Sequence, residues 1–363
     1  MEELTSSINS CDDDSVDKIS DLPDVILHHI LSFLDSKFAV QTSILSKRWR
    51  YIWVSHPFLN FNPKHLNRNS SFKGLINHVL CRRDSSVPIF HCDFKYPALL
   101  RSYNFTIMSK VVKYVASHGI QQLRMDGFEL RFLYHLCSCP SLQSLELKRA
   151  SSDMNVLPKI FLKFATLTTL NIEYCAFSSR ASVLSPFEGC PKLTNLRLHR
   201  CMILDSVNSF EISAPQLKSL TISRIRHHKD RAIKIVLSSR KLIFFEVTHK
   251  HLLFDCSAVE LPLLERVNVD LSRIISWKAI ELELLANMFN VLCNAKFLTL
   301  SFSSERILST ISNSLNGQPS PFRRIEIIKV AVLRLRLSLY SIKGNELEPV
   351  QLNVSTDCEK LIR

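Results

Sequence analysis

Leu142-Gln143-Ser144-Leu145-Glu146-Leu147 sets apolar residues at the first, fourth and sixth places of a six-residue run, and the chain returns to that arrangement. It recurs at Leu167/Leu170/Ile172, Leu193/Leu196/Leu198 and Leu217/Leu220/Ile222. Aromatic or valine replacements carry it on at Leu242/Phe245/Val247 and Leu264/Val267/Val269. Between residues 142 and 264 the period is about 24 residues. Each unit offers one short strand whose apolar residues face inward. No single unit can bury that face, so neighbours must stack into a curved solenoid.

Two regularities that played no part in finding the pattern agree with it. Proline stands two residues before the first leucine at Pro140, Pro191, Pro215 and Pro262. Cysteine stands eight residues after it at Cys175 and Cys201, where leucine-rich repeats carry Asn or Cys. Weaker units fit at Ile120/Leu123/Met125, Ala295/Leu298/Leu300 and Phe322/Ile325/Ile327. The expected fold class is α/β, with a leucine-rich-repeat solenoid over 86–330 and a cap or degenerate repeat over 331–363.

Residues between the leucines alternate away from the core and should line the concave sheet. They are Arg124, Asp126, Glu146, Lys148, Asn171, Glu173, Arg197, His199, Thr221, Ser223, Glu246, Thr248, Asn268 and Asp270. Three are basic and five acidic, whereas a surface that tracks phosphates is strongly basic. The concave face is therefore expected to read a protein or a small ligand. A basic stretch, Arg224, Arg226, His227, His228, Lys229, Arg231 and Lys234, should lie on a loop or on the convex side as a solvated face. Arg323, Arg324, Lys329, Arg334 and Arg336 alternate with apolar residues and read as outward strand positions.

Toward the N-terminus, residues 1–17 hold six acidic and no basic residues and read as a disordered acidic tail. From Asp21 to Leu34 a helix is expected, with Pro23 in its first turn. Its apolar residues, among them Leu22, Ile26, Leu27, Ile30, Leu31 and Phe33, span an arc of about 180°, wider than one core requires. Such a helix needs cover on two sides. A second helical stretch, Phe38–Trp53, ends in the basic and aromatic cluster Lys47-Arg48-Trp49-Arg50-Tyr51-Ile52-Trp53.

The run from Asp21 to Trp53 resembles the F-box, closely in its plant form: Leu22-Pro23, the Ile26/Leu27/Ile30/Leu31 series, Leu34, then Leu45-Ser46-Lys47-Arg48-Trp49 with Trp53. With the repeats, the chain resembles the plant F-box/leucine-rich-repeat family. The resemblance implies an F-box over 18–60 and a helical connector over 61–85. It also implies docking onto a Skp-type adaptor, and through it a cullin, by Leu22, Pro23, Ile26, Leu27, Ile30, Leu31, Leu45, Trp49 and Trp53. Such adaptors are acidic, which suits Lys47, Arg48 and Arg50 as steering charges.

The implied function is substrate recognition within an SCF-type (Skp–cullin–F-box) ubiquitin ligase, with a protein substrate on the concave face. Two alternatives stay open: a repeat-based nucleic-acid binder, since the chain beyond residue 17 carries +19 against +13 overall, and a non-ligase interaction scaffold. Nucleic acid is not expected as a partner, because of the mixed concave face. With only 6 glycines, and no Walker or dinucleotide fingerprint, no cofactor is expected. The 11 cysteines lack paired zinc spacing, so free, mostly buried thiols are expected and no metal. No nucleophile elbow, paired-histidine helix or kinase signature occurs, so no catalytic residue is expected. Signal-peptide features and long apolar spans are missing from the sequence, which points to the nucleus, the cytoplasm or both, and no membrane.

Overall fold

The repeated leucines form a ladder. Strands Ser144–Ala150, Thr169–Glu173, Asn195–His199, Ser219–Ser223, Phe244–Thr248 and Arg266–Leu271 run parallel and in register, so that Leu145, Leu170, Leu196, Leu220, Phe245 and Val267 stack in one line. A second line holds Leu147, Ile172, Leu198, Ile222, Val247 and Val269. All twelve are buried, while the residues between them face out. Each such side chain stabilises the coil by roughly 1.5–3 kcal/mol on burial. The computed structural model describes residues 18–66, 69–96, 105–128, 132–150, 156–157, 163–178, 182–204, 207–229, 233–248, 252–255, 261–271, 292, 294–302, 327–332, 338–343 and 346–350.

Among the described residues the main sheet has thirteen strands, parallel from Phe58–Phe61 to Ile327–Val332. Two antiparallel strands, Ser338–Lys343 and Glu346–Val350, follow. The first strand, Phe58–Phe61, lies ahead of the 86–330 span expected for the solenoid. The expected connector supplies the helix Asn69–Arg82, which closes the first coil by burying Phe72, Ile76, Val79 and Leu80. At the far end, Ile328 and Val330 pair with Leu298 and Leu300. The unit expected at Phe322/Ile325/Ile327 is thus displaced: Ile328 takes the place assigned to Ile325. Lys329 pairs with Thr299 in the register.

The return path of each coil changes along the chain. Helix Phe105–Ser117 buries Ile107, Met108, Val111, Val112 and Val115, a helical spacing. Later coils alternate instead, as in Phe210/Ile212 and Ile235/Leu237, and form strands. These make two further parallel four-stranded sheets, one through Met202–Ile203 and one through Ser209–Ile212. A single strand per repeat was expected; among the described residues, the three coils between residues 169 and 237 have three each. Phe177, Phe187 and Phe210 fill the space enclosed, ring edges against faces at 5.1–6.4 Å.

One backbone feature recurs at the end of the sheet strands. Gly127, Arg149, Tyr174, Arg200 and Arg224 all have φ between 50° and 75°, the left-handed region. This conformation turns the chain off the sheet and aims each amide at the next coil. The N–H of Tyr174 donates to His199 O at 3.0 Å, that of Arg200 to Ser223 O at 2.8 Å, and that of Arg224 to Thr248 O at 2.9 Å. These bonds offset a strain of roughly 1–2 kcal/mol per non-glycine residue.

The N-terminal helices pack directly on the first coil. Arg83 is buried and donates to four carbonyls, those of His56, Asp84, Val87 and Pro88, at 2.8–3.3 Å. Asn60 N–H donates to Ser36 Oγ at 2.9 Å, and Trp53 stacks on His78 at 5.9 Å. Among the described residues, no helix is long and apolar enough to cross a membrane.

Candidate functional site

In the N-terminal unit, helix Asp24–Ser32 starts just after Pro23, whose carbonyl accepts from Ile26 and Leu27 N–H at 2.9 and 3.2 Å. The single second helix expected over 38–53 is broken into Ser36–Gln41, a 3₁₀ turn Thr42–Ile44 and Trp49–Ile52. The hydroxyls explain the break. Thr42 Oγ1 donates to Ala39 O at 2.7 Å, and Ser46 Oγ accepts from Trp49 N–H at 3.4 Å, giving the backbone partners other than its own ladder.

Leu27, Leu31, Ala39, Trp49, Ile52 and Trp53 make a small closed core, with Leu22, Leu34, Val40 and Val54 packed against it. Of the nine residues expected to dock an adaptor, Leu27, Leu31, Trp49 and Trp53 thus face inward. Their side chains are buried in this core. Pro23, Ile26, Ile30 and Leu45 are exposed and Leu22 is half-buried. Beside them the structure exposes apolar residues that sequence reading did not select: Val25 at 77%, Phe33 at 76%, Ile44 at 86% and Tyr51 at 67%. The wide apolar arc of the first helix carried the signal for Phe33. Ile44 and Tyr51 had none, because their exposure depends on the break in the second helix. Arg48 is not a free steering charge: it pairs with Asp24 and donates to Ser20 O. Lys47 and Arg50 are exposed.

On the concave sheet, opposite charges alternate from strand to strand. Arg124 Nε donates to Glu146 Oε2 at 2.7 Å, and Lys148 Nζ lies 3.0 Å from both Glu146 and Glu173. Asp93 sits 3.2 Å from Lys95, and Arg149 grips Asp126 through Nε at 2.6 Å. Burial raises the Glu146 carboxyl, but the bonds from Lys148 and Arg124 outweigh it and hold the pKa below its ordinary value. Burial likewise opposes the Lys148 charge, yet its bonds to both glutamates leave its pKa raised. His199 is lowered by burial against the opposing pull of Glu173, 3.7 Å away, and its Nδ1 lies 2.5 Å from Ser223 Oγ. Pairs as exposed as these add little stability, about 1 kcal/mol or less each.

Arg124, Glu146, Lys148, Asn171, Glu173, Arg197 and His199 line one open depression of about 340 Å³. The structure therefore brings together seven of the fourteen concave residues named from sequence. Asp126 neighbours the group through Arg149, and Glu246 and Asp270 lie on the strands Phe244–Thr248 and Arg266–Leu271. Asp93 and Lys95, on strand His91–Lys95, belong to the same network but precede the first unit found in the sequence.

Off this face, the basic stretch after the Leu217 unit is part of the side sheets. Arg226–His227 and Ile233–Leu237 are strands, and His227 is buried, while Arg226, His228, Lys229 and Lys234 are exposed. Arg231 lies outside the described residues. Cys92, Cys139, Cys175, Cys190 and Cys201 are buried. Burial pushes the Cys190 thiol to about 11 and those of Cys92 and Cys201 higher still. Such thiols pack and do not react.

A family model described as the F-box domain matches residues 19–61. Among curated proteins, the chain is 30% identical over 374 residues to a putative F-box/LRR-repeat protein of Arabidopsis thaliana, covering 96% of this chain and 72% of that one. It is 31% identical over 292 residues to a putative F-box/FBD/LRR-repeat protein of the same plant, covering 80% and 64%. A further putative F-box/LRR-repeat protein of that plant is 28% identical over 268 residues, covering 72% and 53%. Against these last two, the chain spans between about half and two thirds of the relative's length.

Proposed function

Because the chain belongs to the plant F-box/leucine-rich-repeat protein family, we propose that it is the substrate-recognition subunit of an SCF-type (Skp–cullin–F-box) ubiquitin ligase. The observation that carries the reading is the apolar face left open on a helical unit whose own core is already closed: Ile26, Ile30, Phe33, Ile44, Leu45 and Tyr51. Exposed apolar side chains gathered on one small helical unit are the kind of surface that docks a partner. An F-box generally binds a Skp-type adaptor, and through that adaptor a cullin would be held. The chain contributes no catalytic group. It tethers a protein substrate, held on the concave sheet, near the charged ubiquitin carrier and so raises the effective concentration of the substrate's lysines. It would do so in the nucleus, the cytoplasm or both.

The test is co-purification of the full chain with a Skp-type adaptor, beside a variant carrying Ile44→Glu and Leu45→Glu. Both side chains are exposed, so the variant's folding free energy should stay within about 0.5 kcal/mol of wild type. Wild type retaining the adaptor while the variant loses it supports the reading. Equal retention by both, or no adaptor on folded wild type, overturns it.

A further inference from the structure

At one end of the concave sheet four carboxylates are matched in number by four cations, but not in depth. Side chains of Asp93, Asp126, Glu146 and Glu173 are 9, 16, 16 and 25% exposed. Their partners Lys95, Arg124, Lys148 and Arg149 are 37, 44, 33 and 58% exposed. The carboxylates are sunk and already neutralised, while the cationic ends stand above them. What this network offers to solvent is mainly positive.

The alternation also breaks at one place. Across the register, Arg197 lies between Asn171 and Thr221, both uncharged. Among the described residues it has no carboxylate within ion-pair reach. Three residues on, Arg200 lies over the Tyr174 ring at 5.1 Å, likewise with no acidic partner among the described residues. Arg197 lines the 340 Å³ depression, flanked by His199 on its own strand. A guanidinium presents a planar fork of donors that fits a carboxylate, and the side-chain amide of Asn171 supplies hydrogen bonds on one side, while on the other Thr221 Oγ1 already donates to Glu246 at 3.4 Å.

We infer that the concave face around Arg197 takes an acidic segment of a substrate protein, with one carboxylate seated on Arg197 between Asn171 and Thr221. The inference rests on the substrate-recognition reading above and names the chemistry of the substrate. Acidic peptide fits better than nucleic acid. A polynucleotide spreads regularly spaced phosphates over many residues and needs a continuous basic track. Here a carboxylate interrupts the cations on alternate strands, spaced about 4.8 Å apart. A local cluster of acidic side chains tolerates that interruption. Basic segments are disfavoured because the outermost groups are cations.

The experiment measures fluorescence anisotropy of labelled probes with the full chain: a ten-residue poly-glutamate peptide, the poly-glutamine peptide of equal length, and a ten-nucleotide oligo-dT. Proteins are wild type, Arg197→Glu, the milder Arg197→Gln, and Arg226→Glu on the far side of the coil. The expected result is binding of the glutamate peptide over the glutamine peptide. Arg197→Glu should weaken it about tenfold or more, since a charge-assisted bond is replaced by a like-charge contact, and Arg197→Gln less, with Arg226→Glu close to wild type. If Arg197→Glu unfolds by circular dichroism, Arg197→Gln carries the test. Equal binding by wild type and the Arg197 variants, equal loss in Arg226→Glu, or preference for oligo-dT over the glutamate peptide overturns the inference. Adaptor co-purification on the same preparations separates the two claims. A wild-type chain that retains the adaptor and binds no glutamate peptide defeats this inference alone, and a wild-type chain that binds the peptide and no adaptor defeats the ligase reading alone.

Discussion

Gly127 shows how much a single residue can decide here. It occupies the left-handed position that Arg149, Tyr174, Arg200 and Arg224 fill in later coils, but a Cβ at Gly127 would lie 3.0 Å from Tyr96 Cβ. Gly127→Ala should therefore destabilise by roughly 2 kcal/mol or more, from strain plus crowding, as measured by urea unfolding. An unchanged midpoint would contradict this. His56 makes a second prediction. Burial, then the charges of His28 and Arg83, push its pKa from 6.5 to about 3. Its ring stacks on His28 at 5.4 Å, and its Nε2 has no hydrogen-bond partner among the described residues. The unfolded chain binds a proton that the folded chain refuses, so this contribution to stability is complete above pH 6.5 and declines as pH falls toward 3. The slope is up to about 1.4 kcal/mol per pH unit. His56→Phe, which keeps a stacked ring and cannot titrate, should flatten the profile between pH 6.5 and 4. A variant with the wild-type slope would refute the assignment.

Elements divide into those the sequence announced and those it hid. The leucine ladder was legible because its apolar residues recur at fixed spacing, and a register so strongly specified by burial leaves little choice. The three-stranded coils were not legible. Two-residue strands such as Ala176–Phe177 and Met202–Ile203 are too short to show a period of their own and exist only because neighbouring coils pair with them. The same limit applies to the site. Concave positions followed from alternation, whereas the inward turn of Leu27, Leu31, Trp49 and Trp53 depends on how three short helices close on each other. Arg83 was invisible in sequence because its partners are carbonyls and not carboxylates. It joins the helical unit to the first coil. Arg83→Met should cost about 2–4 kcal/mol by leaving those buried carbonyls unmet, and Arg83→Lys should recover less than half, since one ammonium cannot reach all four. Equal stability of wild type and Arg83→Met would show that water replaces the guanidinium freely.

At the scale of the whole molecule, the proposed docking face and the proposed recognition face sit at different places on one continuous structure. The exposed apolar residues are on the N-terminal helices, and the charged depression lies several strands along the sheet that begins at Phe58. The proposed tether needs its two ends held in a defined relation, and the packing around Arg83, Ser36 and Trp53 joins them. The central claim is that the open face of the helical unit is completed by an adaptor. The measurement that tests it most directly is calorimetric titration of a Skp-type adaptor into the full chain at several temperatures. The account predicts a one-to-one complex with a negative heat-capacity change, the mark of apolar surface leaving water, and loss of both in the Ile44→Glu/Leu45→Glu variant. A folded wild-type chain that gives no binding heat at any temperature, or binding that the variant leaves intact, would contradict it.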